Sequence, residues 1–200
     1  MLTVIVTGGI GSGKTAVCDI LLEKGVPVYD SDVRTKSLYN TVPGLVSRLE
    51  RELGASFTTP EGTLDRKALA SLVFSNPAAL EKLEAIVYPL VREDFEAWRM
   101  EQSGAPLVVL ESAVILSKPV FDGVADAVVA VTAPEDKRIA RLMRRGLSEE
   151  DARRRMAAQD PDISKAGAII DNSGSREDLI REVERVFFAK NGYICKLDNK

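Results

Sequence analysis

Residues 8–15 read GGIGSGKT, which is the pattern G-x-x-x-x-G-K-[ST] with Lys14 and Thr15 in its last two places. The apolar run LTVIV, residues 2–6, comes directly before it, and a stretch that favours a helix, residues 15–24, follows it. A strand, a glycine-rich turn and a helix in this order form a phosphate-binding loop. The sequence therefore predicts a site for a phosphorylated ligand near the start of the chain.

The residue types of this loop suit a nucleoside triphosphate. Glycines let the backbone turn tightly, so that several N–H groups can point at one anion, and the following helix adds the positive end of its dipole. We expect Lys14 to reach the β- and γ-phosphates of ATP and the Thr15 hydroxyl to bind Mg²⁺. The residues expected to contact the nucleotide here are Gly9, Ile10, Gly11, Ser12, Gly13, Lys14, Thr15 and Ala16.

Two other interpretations of the loop fit the sequence less well. A dinucleotide-binding loop needs G-x-G-x-x-G, and Lys14 stands where the third glycine should follow Gly9 and Gly11. A glycine-rich turn that binds nothing would not require the strand and the helix that flank this one.

The composition narrows the class of protein. The chain of 200 residues suits one domain, or one domain with an inserted substructure, and its net charge of −3 indicates no general affinity for nucleic acids or membranes. No apolar run approaches the length of a membrane span, so we expect a cytoplasmic protein. Cys18 and Cys195 form neither a disulfide framework nor a metal-binding spacing, and Cys18 is expected to be buried. The chain has no histidine, so we expect a general base to be Asp or Glu.

Five short apolar segments, rich in Val and Ile, predict parallel strands that are covered on both faces. They are residues 2–7, 26–29, 107–111, 127–132 and 168–171. Helices are predicted between and after them, at residues 13–24 with Gly25 as cap, from Pro134 to about Arg145, from Ser148 to about Gln159, and from Ser175 to about Lys190. This alternation indicates a doubly wound α/β sheet.

Residues 31–104 interrupt the alternation, because they contain no convincing strand. They predict helices near 43–53, 65–75 and 77–100, with Pro89 bending or splitting the last one. We interpret the segment as a helical insertion at the carboxyl edge of the sheet, where ligands bind in such folds. It is a candidate site for a second substrate, and the alternative is a packing appendage.

Two carboxylates follow the second strand, in the segment Tyr29-Asp30-Ser31-Asp32. A strand beside the first one would place them near the phosphate site. A hydroxyl that attacks a γ-phosphoryl group needs a proton acceptor, and an Asp has this role in kinases. We therefore expect Asp32 to be the base and Asp30 to assist it. The alternative is that both residues cap the next helix.

Residues 137–145, KRIARLMRR, carry five positive charges and no negative one, at Lys137, Arg138, Arg141, Arg144 and Arg145. Gly146 and a second basic helix with residues 153–155 follow. Two such helices could form a lid whose arginines stabilise charge on the transferring phosphoryl group. The alternative is a solvated face that pairs with the acidic residues 149–151.

The turn Asp171-Asn172-Ser173-Gly174 ends the fifth strand and could place Asn172 near an adenine ring, although alone it is only a turn signal. Together with the preceding motifs it resembles the dephospho-coenzyme A kinase family, from Thr7 to Val186. The resemblance is strongest at Thr7–Thr15, at Asp30-Ser31-Asp32, at Gly62–Arg66 with Phe74 and Pro77, and at Gly146–Glu150 with Ala157–Gln159 and Ile170–Gly174.

This resemblance implies a fold of the P-loop NTPase type: a doubly wound parallel five-stranded sheet with a helical insertion and a helical lid. It divides one kinase domain into a nucleotide-binding core at 1–30 and 105–200, an acceptor-binding insertion at 31–104 and a lid at 137–160. The implied reaction transfers the γ-phosphoryl group of ATP, with Mg²⁺, to the ribose 3′-hydroxyl of dephospho-CoA.

The resemblance also implies roles for individual residues. Lys14 and Thr15 would bind ATP and Mg²⁺, Asp32 would be the base, and Arg144 or Arg145 would be the lid arginine. We expect Asp30, Asp32, Arg66 and Tyr88 at the acceptor. The expected partner is dephospho-CoA, without nucleic acid or membrane, and a monomer is favoured.

The chain departs from the family in two places. Tyr88-Pro89 replaces the usual His-Pro, so a role of that histidine does not carry over. After the third strand, residues 113–117 read AVILS where the family has Pro-Leu-Leu, an aromatic residue and Glu. Glu111, at the end of the strand, could take over part of that function, for example through water to Mg²⁺.

Three rival hypotheses share the phosphate loop. One is another small-molecule kinase, of the nucleoside, shikimate or gluconate type, although the insertion favours a larger acceptor. The second is a nucleotide-dependent regulator, but the interior of the chain lacks the N-K-x-D segment that reads guanine. The third is a degenerate binding protein, against which Lys14, Thr15 and Asp32 argue.

Overall fold

The computed structural model describes residues 1–158, 161, 163–190 and 192–193. Two compact units make up the chain: Met1–Asp30 with the chain from Arg99 onward, and Ser31–Trp98. The helix end expected at Gln159 and the residue Cys195 lie outside the described residues. None of the described helices is long and apolar enough to cross a membrane.

Within the described residues, one parallel sheet of five strands forms the centre of the first unit. Its strands are β1 (Leu2–Thr7), β2 (Val28–Asp30), β3 (Leu107–Glu111), β4 (Ala127–Thr132) and β5 (Ala168–Asp171). They lie side by side in the order β2-β3-β1-β4-β5, and every pairing is parallel. The prediction of a doubly wound five-stranded sheet is confirmed, and the second strand begins two residues later than expected.

The described part of the chain contains eight α-helices. They are α1 (Lys14–Glu23), α2 (Ser31–Thr41), α3 (Leu45–Leu53), α4 (Arg66–Ser75), α5 (Pro77–Glu101), α6 (Glu135–Arg144), α7 (Glu149–Ala158) and α8 (Arg176–Val183). α2, α3, α4 and most of α5 belong to the second unit.

The main core of the first unit lies between the sheet and two helices. Val17, Ile20 and Leu21 of α1 and Leu179 and Val183 of α8 pack against the strands in one buried cluster. Burying an aliphatic side chain of this kind contributes about 1.5–3 kcal/mol. Strand β3 is buried along its whole length, which explains why its sequence is continuously apolar up to Glu111.

Helix ends in the first unit follow local sequence signals. Gly25 adopts the left-handed conformation, with φ 81°, directly after the last turn of α1, as expected for a capping glycine. Ser175 and Asp178 form a complete capping box at the start of α8. This helix ends at Val183 and continues as a π-helix, Glu184–Phe188, where the sequence predicted one helix to about Lys190.

The second unit is helical, as predicted, but its helix α2 was not predicted from the sequence. That helix has few apolar residues, and its buried side chains are Ser31 and Leu38, so the apolar periodicity is weak. Pro89 lies inside α5 without splitting it, because the helix is continuous from Pro77 to Glu101. One isolated antiparallel bridge joins Thr58 to Leu64.

A single carboxylate organises the turn after α3. Oε1 of Glu50 accepts hydrogen bonds from the backbone N–H of Phe57 at 2.7 Å and of Thr58 at 2.9 Å, and from the hydroxyls of Ser56 at 3.1 Å and Thr58 at 2.8 Å. The bond from Phe57, followed by that from the Thr58 hydroxyl, lowers the pKa of Glu50 below its ordinary value.

A lowered pKa in the folded state stabilises the protein above the ordinary pKa of 4.5 and ceases to do so as the pH falls through the lowered value. We therefore expect Glu50→Gln to lower the Tm by a few degrees at neutral pH, and we expect the difference from the wild type to shrink in acid. Glu52→Gln, on the same helix, should change the Tm little at either pH. An equal loss of Tm for Glu50→Gln at both pH values, measured by calorimetry, would contradict this role.

Candidate active site

The loop between β1 and α1 has the geometry of an anion site. Gly11 and Gly13 take positive φ values of 79° and 102°, and Ser12 N–H donates to the Gly9 carbonyl at 3.1 Å. Helix α1 begins at Lys14, so its first backbone N–H groups point into the concave side of the loop. The Lys14 ammonium donates to the Gly8 carbonyl at 2.8 Å, which keeps the positive charge at this loop.

Close packing around the loop leaves no room for larger residues. A Cβ atom on Gly13 would overlap Nδ2 of Asn172, and one on Gly9 would overlap the Arg138 guanidinium. At Gly13, glycine is therefore favoured by this contact and by the positive φ of 102°, whereas at Gly9 only the contact with Arg138 disfavours a larger residue.

Several buried polar atoms at this loop have no hydrogen-bond partner among the described residues: Thr7 Oγ1, Ser12 Oγ and Arg138 Nη2. Thr7 immediately precedes the loop, Ser12 is part of it, and Arg138 lies against Gly9. Buried donors of this kind normally have a partner. Their concentration here fits a loop that binds a polar ligand.

A second group of polar atoms lies at the carboxyl ends of β2 and β3. The Thr15 hydroxyl donates to Oε1 of Glu111 at 3.0 Å, and Glu111 is in register with Asp30 of the neighbouring strand. Glu111 is only 8 % exposed. The pKa of this carboxyl is raised above its ordinary value. Burial is the largest cause, the Thr15 hydrogen bond opposes it, and the charge of Asp30 adds to it.

These oxygen atoms suit Mg²⁺ better than a softer metal. Among the described residues, no group of three or more His, Cys, Asp or Glu side chains could hold a metal ion. Mg²⁺ does not need such a group, since it keeps several water molecules and takes its other ligands from one or two side chains and the phosphates. Thr15 and Glu111 fit this requirement.

Cys18, which was predicted to be buried, is 1 % exposed. Burial, followed by the charge of Glu111, raises the pKa of its thiol.

The basic helix α6 contacts the loop through Arg138 and Arg141, which belong to the predicted basic run but had no individual role predicted from the sequence. Arg138 Nε donates to the Ile10 carbonyl at 2.9 Å, and Arg141 Nη1 donates to the carbonyls of Gly11 at 3.1 Å and Ser12 at 3.0 Å. Their spacing is the sequence signal that could have indicated this shared role, because Arg138 and Arg141 are three residues apart and therefore lie on one face of the helix.

Arg144 and Arg145, the predicted lid arginines, are exposed. Neither forms an ion pair with another described residue. Gly146, with φ 91°, separates α6 from α7, and the Ser148 hydroxyl accepts from Asp151 N–H at 3.1 Å at the start of α7. Most of the predicted lid is therefore a pair of helices joined at Gly146, and its closing over ATP stays a prediction.

Asn172 lies directly behind the loop. Asn172 is 7 % exposed, and its side-chain amide donates to the Ser12 carbonyl at 2.8 Å. Its backbone carbonyl accepts from Arg141 Nη2 at 2.8 Å. These bonds give Asn172 a role in holding the loop. The predicted contact of Asn172 with the nucleotide stays a prediction.

The remaining predicted site residues belong to the second unit. Asp32 is in the first turn of α2. The Tyr88 hydroxyl donates to Oε1 of Glu84 at 3.2 Å, and burial, followed by the charge of Glu84, raises the pKa of Tyr88. Arg66 Nη2 donates to the Lys36 carbonyl at 3.2 Å. No contact with an acceptor is established for any of them.

The fold and the loop together define an α/β protein of the P-loop class, with the phosphate loop after the central strand of a parallel sheet. Residues 2–178 match the family described as dephospho-CoA kinase. The dephospho-CoA kinase of Frankia casuarinae is 39 % identical over 94 % of this chain and 82 % of its own, and that of Porphyromonas gingivalis is 42 % identical over 84 % and 83 %. The crystal structure of TT1252 from Thermus thermophilus is 35 % identical, covers 92 % of this chain and 95 % of its own, and superposes with a TM-score of 0.77.

The chain belongs to the dephospho-CoA kinase family. It is a transferase that phosphorylates dephospho-CoA with ATP, a step of coenzyme A biosynthesis.

Gly13→Ala tests the geometry of the loop. The new methyl group would require a strained backbone at φ 102° and would displace the Asn172 amide. The left-handed backbone alone costs about 1–2 kcal/mol. We expect the Kd for ATP to rise at least about tenfold in calorimetric titrations.

Gly104→Ala is the matched control for Gly13→Ala, because Gly104 has no positive φ and no atom within 4 Å of the added Cβ. It should leave the Kd for ATP unchanged. Wild-type ATP affinity in Gly13→Ala would show that the close packing is not needed for binding.

Proposed function

We propose that this kinase transfers the γ-phosphoryl group of ATP to the ribose 3′-hydroxyl of dephospho-CoA, and that the residues predicted from the sequence carry out the transfer. The observation that supports this most directly is the loop at Gly8–Thr15, with Lys14 at the start of α1 and the Thr15 hydroxyl bonded to Glu111. The family match supplies the acceptor.

On the donor side, the loop amides and Lys14 bind the β- and γ-phosphates, where they stabilise the charge of the transferring group. Thr15 would hold Mg²⁺, with Glu111 accepting from the Thr15 hydroxyl and so orienting it. Mg²⁺ supplies charge neutralisation between the phosphates when it is bound. Gly9–Gly13 and Ala16 complete the phosphate contacts, and Asn172 contacts the nucleotide beside the loop.

On the acceptor side, Asp32 accepts the proton of the attacking hydroxyl, and Asp30 assists it. Asp30 ends β2 beside Glu111 at the carboxyl edge of the sheet, and Asp32 follows two residues later. The lack of histidine in the chain supports a carboxylate in this role. Arg66 and Tyr88 bind the acceptor within the insertion at 31–104.

The lid arginines complete the proposed active site. Arg144 or Arg145, in a lid at 137–160, adds positive charge to the transferring phosphoryl group, and their exposed guanidinium groups are available for it. The core at 1–30 and 105–200 binds ATP. We further propose a cytoplasmic monomer that binds neither nucleic acid nor membranes.

Release of ADP in the presence of different acceptors tests the reaction. We expect ADP formation that depends on dephospho-CoA and on Mg²⁺, with a product phosphorylated at the 3′-position by NMR. Nucleosides, shikimate and gluconate should give only background ADP. Phosphorylation of one of these acceptors without phosphorylation of dephospho-CoA would support the rival small-molecule kinases.

Asp32→Asn tests the assignment of the base. We expect kcat to fall by at least about a hundredfold, because general base catalysis of this kind is worth 10²–10⁴-fold, while the Kd for ATP stays near that of the wild type. Asp122→Asn, at an exposed carboxylate of the first unit, is the control and should keep full activity. A normal kcat in Asp32→Asn would assign the proton acceptor to another group.

A further inference from the structure

The outer side of the phosphate loop is held by hydrogen bonds from side chains of the protein. A loop that turns its N–H groups inward must turn carbonyl oxygens outward, and these oxygens also need donors. Here the carbonyls of Ile10, Gly11 and Ser12 accept from Arg138, Arg141 and the Asn172 amide. Two cations and one amide therefore satisfy three successive carbonyls of the loop.

Arg141 makes the most extensive of these contacts. Its Nη1 bonds the Gly11 and Ser12 carbonyls at 3.1 and 3.0 Å, and its Nη2 bonds the Asn172 carbonyl at 2.8 Å. The Asn172 amide returns to the Ser12 carbonyl at 2.8 Å, which closes a ring of hydrogen bonds. The ring joins α6, the loop and the residue that follows β5.

A guanidinium on the outside also acts on the inside of the loop. A cation that bonds a peptide carbonyl polarises that peptide, so its N–H group becomes a stronger donor to an anion on the opposite side. The charge itself lies within 3.1 Å of the Gly11 and Ser12 carbonyls, and a positive charge at the loop favours a bound phosphate. Burial, followed by the charges of Arg144 and Arg145, lowers the pKa of Arg141.

We propose that Arg141 is a positioning residue for ATP: it holds the Gly11 and Ser12 carbonyls from outside, ties them to Asn172, and so fixes the direction of the Gly13 N–H group, which shares its peptide with the Ser12 carbonyl. The inference rests on the loop being the ATP site, and it adds a residue that need not touch the nucleotide. It gives α6 a function apart from that of Arg144 and Arg145. It also couples the turn after β5 to phosphate binding.

Two substitutions separate the geometry from the charge. Arg141→Lys keeps the charge, but an ammonium group cannot reproduce the planar fork that reaches both loop carbonyls and Asn172. Arg141→Gln can still donate one hydrogen bond but has no charge. Arg176→Gln is the matched control, because Arg176 is an exposed arginine on α8 whose ion pair with Glu23 lies away from the loop.

The experiment measures the Kd for Mg²⁺–ATP by titration calorimetry, both KM values, kcat and the Tm. We expect the Kd and KM for ATP to rise about tenfold in Arg141→Gln and about threefold in Arg141→Lys, as the loss of charge-assisted hydrogen bonds predicts. The KM for dephospho-CoA should stay within about twofold, and Arg176→Gln should match the wild type. Binding of ATP by the wild type, measured without acceptor, tests the donor site separately from the proposed reaction.

Two results would overturn the inference. One is an unchanged Kd for ATP in either Arg141 variant. The other is an equal rise of both KM values together with a large loss of Tm, which would make Arg141 a general structural residue. If Arg141→Gln does not fold, Arg141→Lys decides alone: a Kd for ATP raised about threefold with a Tm near that of the wild type supports the inference, and an unchanged Kd overturns it.

Discussion

The site depends on one constraint, which is that the carbonyl groups of residues 10–12 must face the protein, so that the opposite side of the loop is left to N–H groups. The inward side is set by left-handed glycines and by the start of α1 at Lys14. The outward side is satisfied by Arg138, Arg141 and Asn172. Because an unsatisfied buried carbonyl costs about 1–3 kcal/mol, the loop would not hold this shape without these donors. Its anion site is therefore a product of both sides.

The parallel sheet makes that constraint possible, because it brings separate segments of the chain to the loop. β1 lies between β3 and β4, so the loop stands at the carboxyl edge with Glu111 on one side and the end of β4 on the other. Glu111 reaches Thr15 from the neighbouring strand, whereas Asn172 reaches Ser12 from the end of β5. Residues more than ninety positions apart thus meet at one loop through strand order alone.

The sequence predicted what depends on local pattern. GGIGSGKT and the apolar runs define the loop and the strands because backbone geometry and full burial restrict residue types. α2 was missed because its buried side is too small to produce a periodic signal. The contacts of Arg138 and Arg141 could not be predicted from the run of five cations. Which of the five side chains face the loop depends on how α6 is rotated about its axis, and the sequence pattern does not determine this. Asn172 was noticed as a turn residue, but its bond to Ser12 depends on the order of β1, β4 and β5.

The proposed chemistry divides between the two units in a way that follows from chain connectivity. The phosphate loop, Thr15 and Glu111 belong to the first unit, while Asp32 begins the second, two residues after Asp30 ends β2. A proton acceptor must be positioned against the attacking hydroxyl, whereas the phosphates must be held by the loop. Only Ser31 stands between Asp32 and Asp30, which ends β2 at the carboxyl edge of the sheet, so the proposed base follows the sheet directly in the sequence.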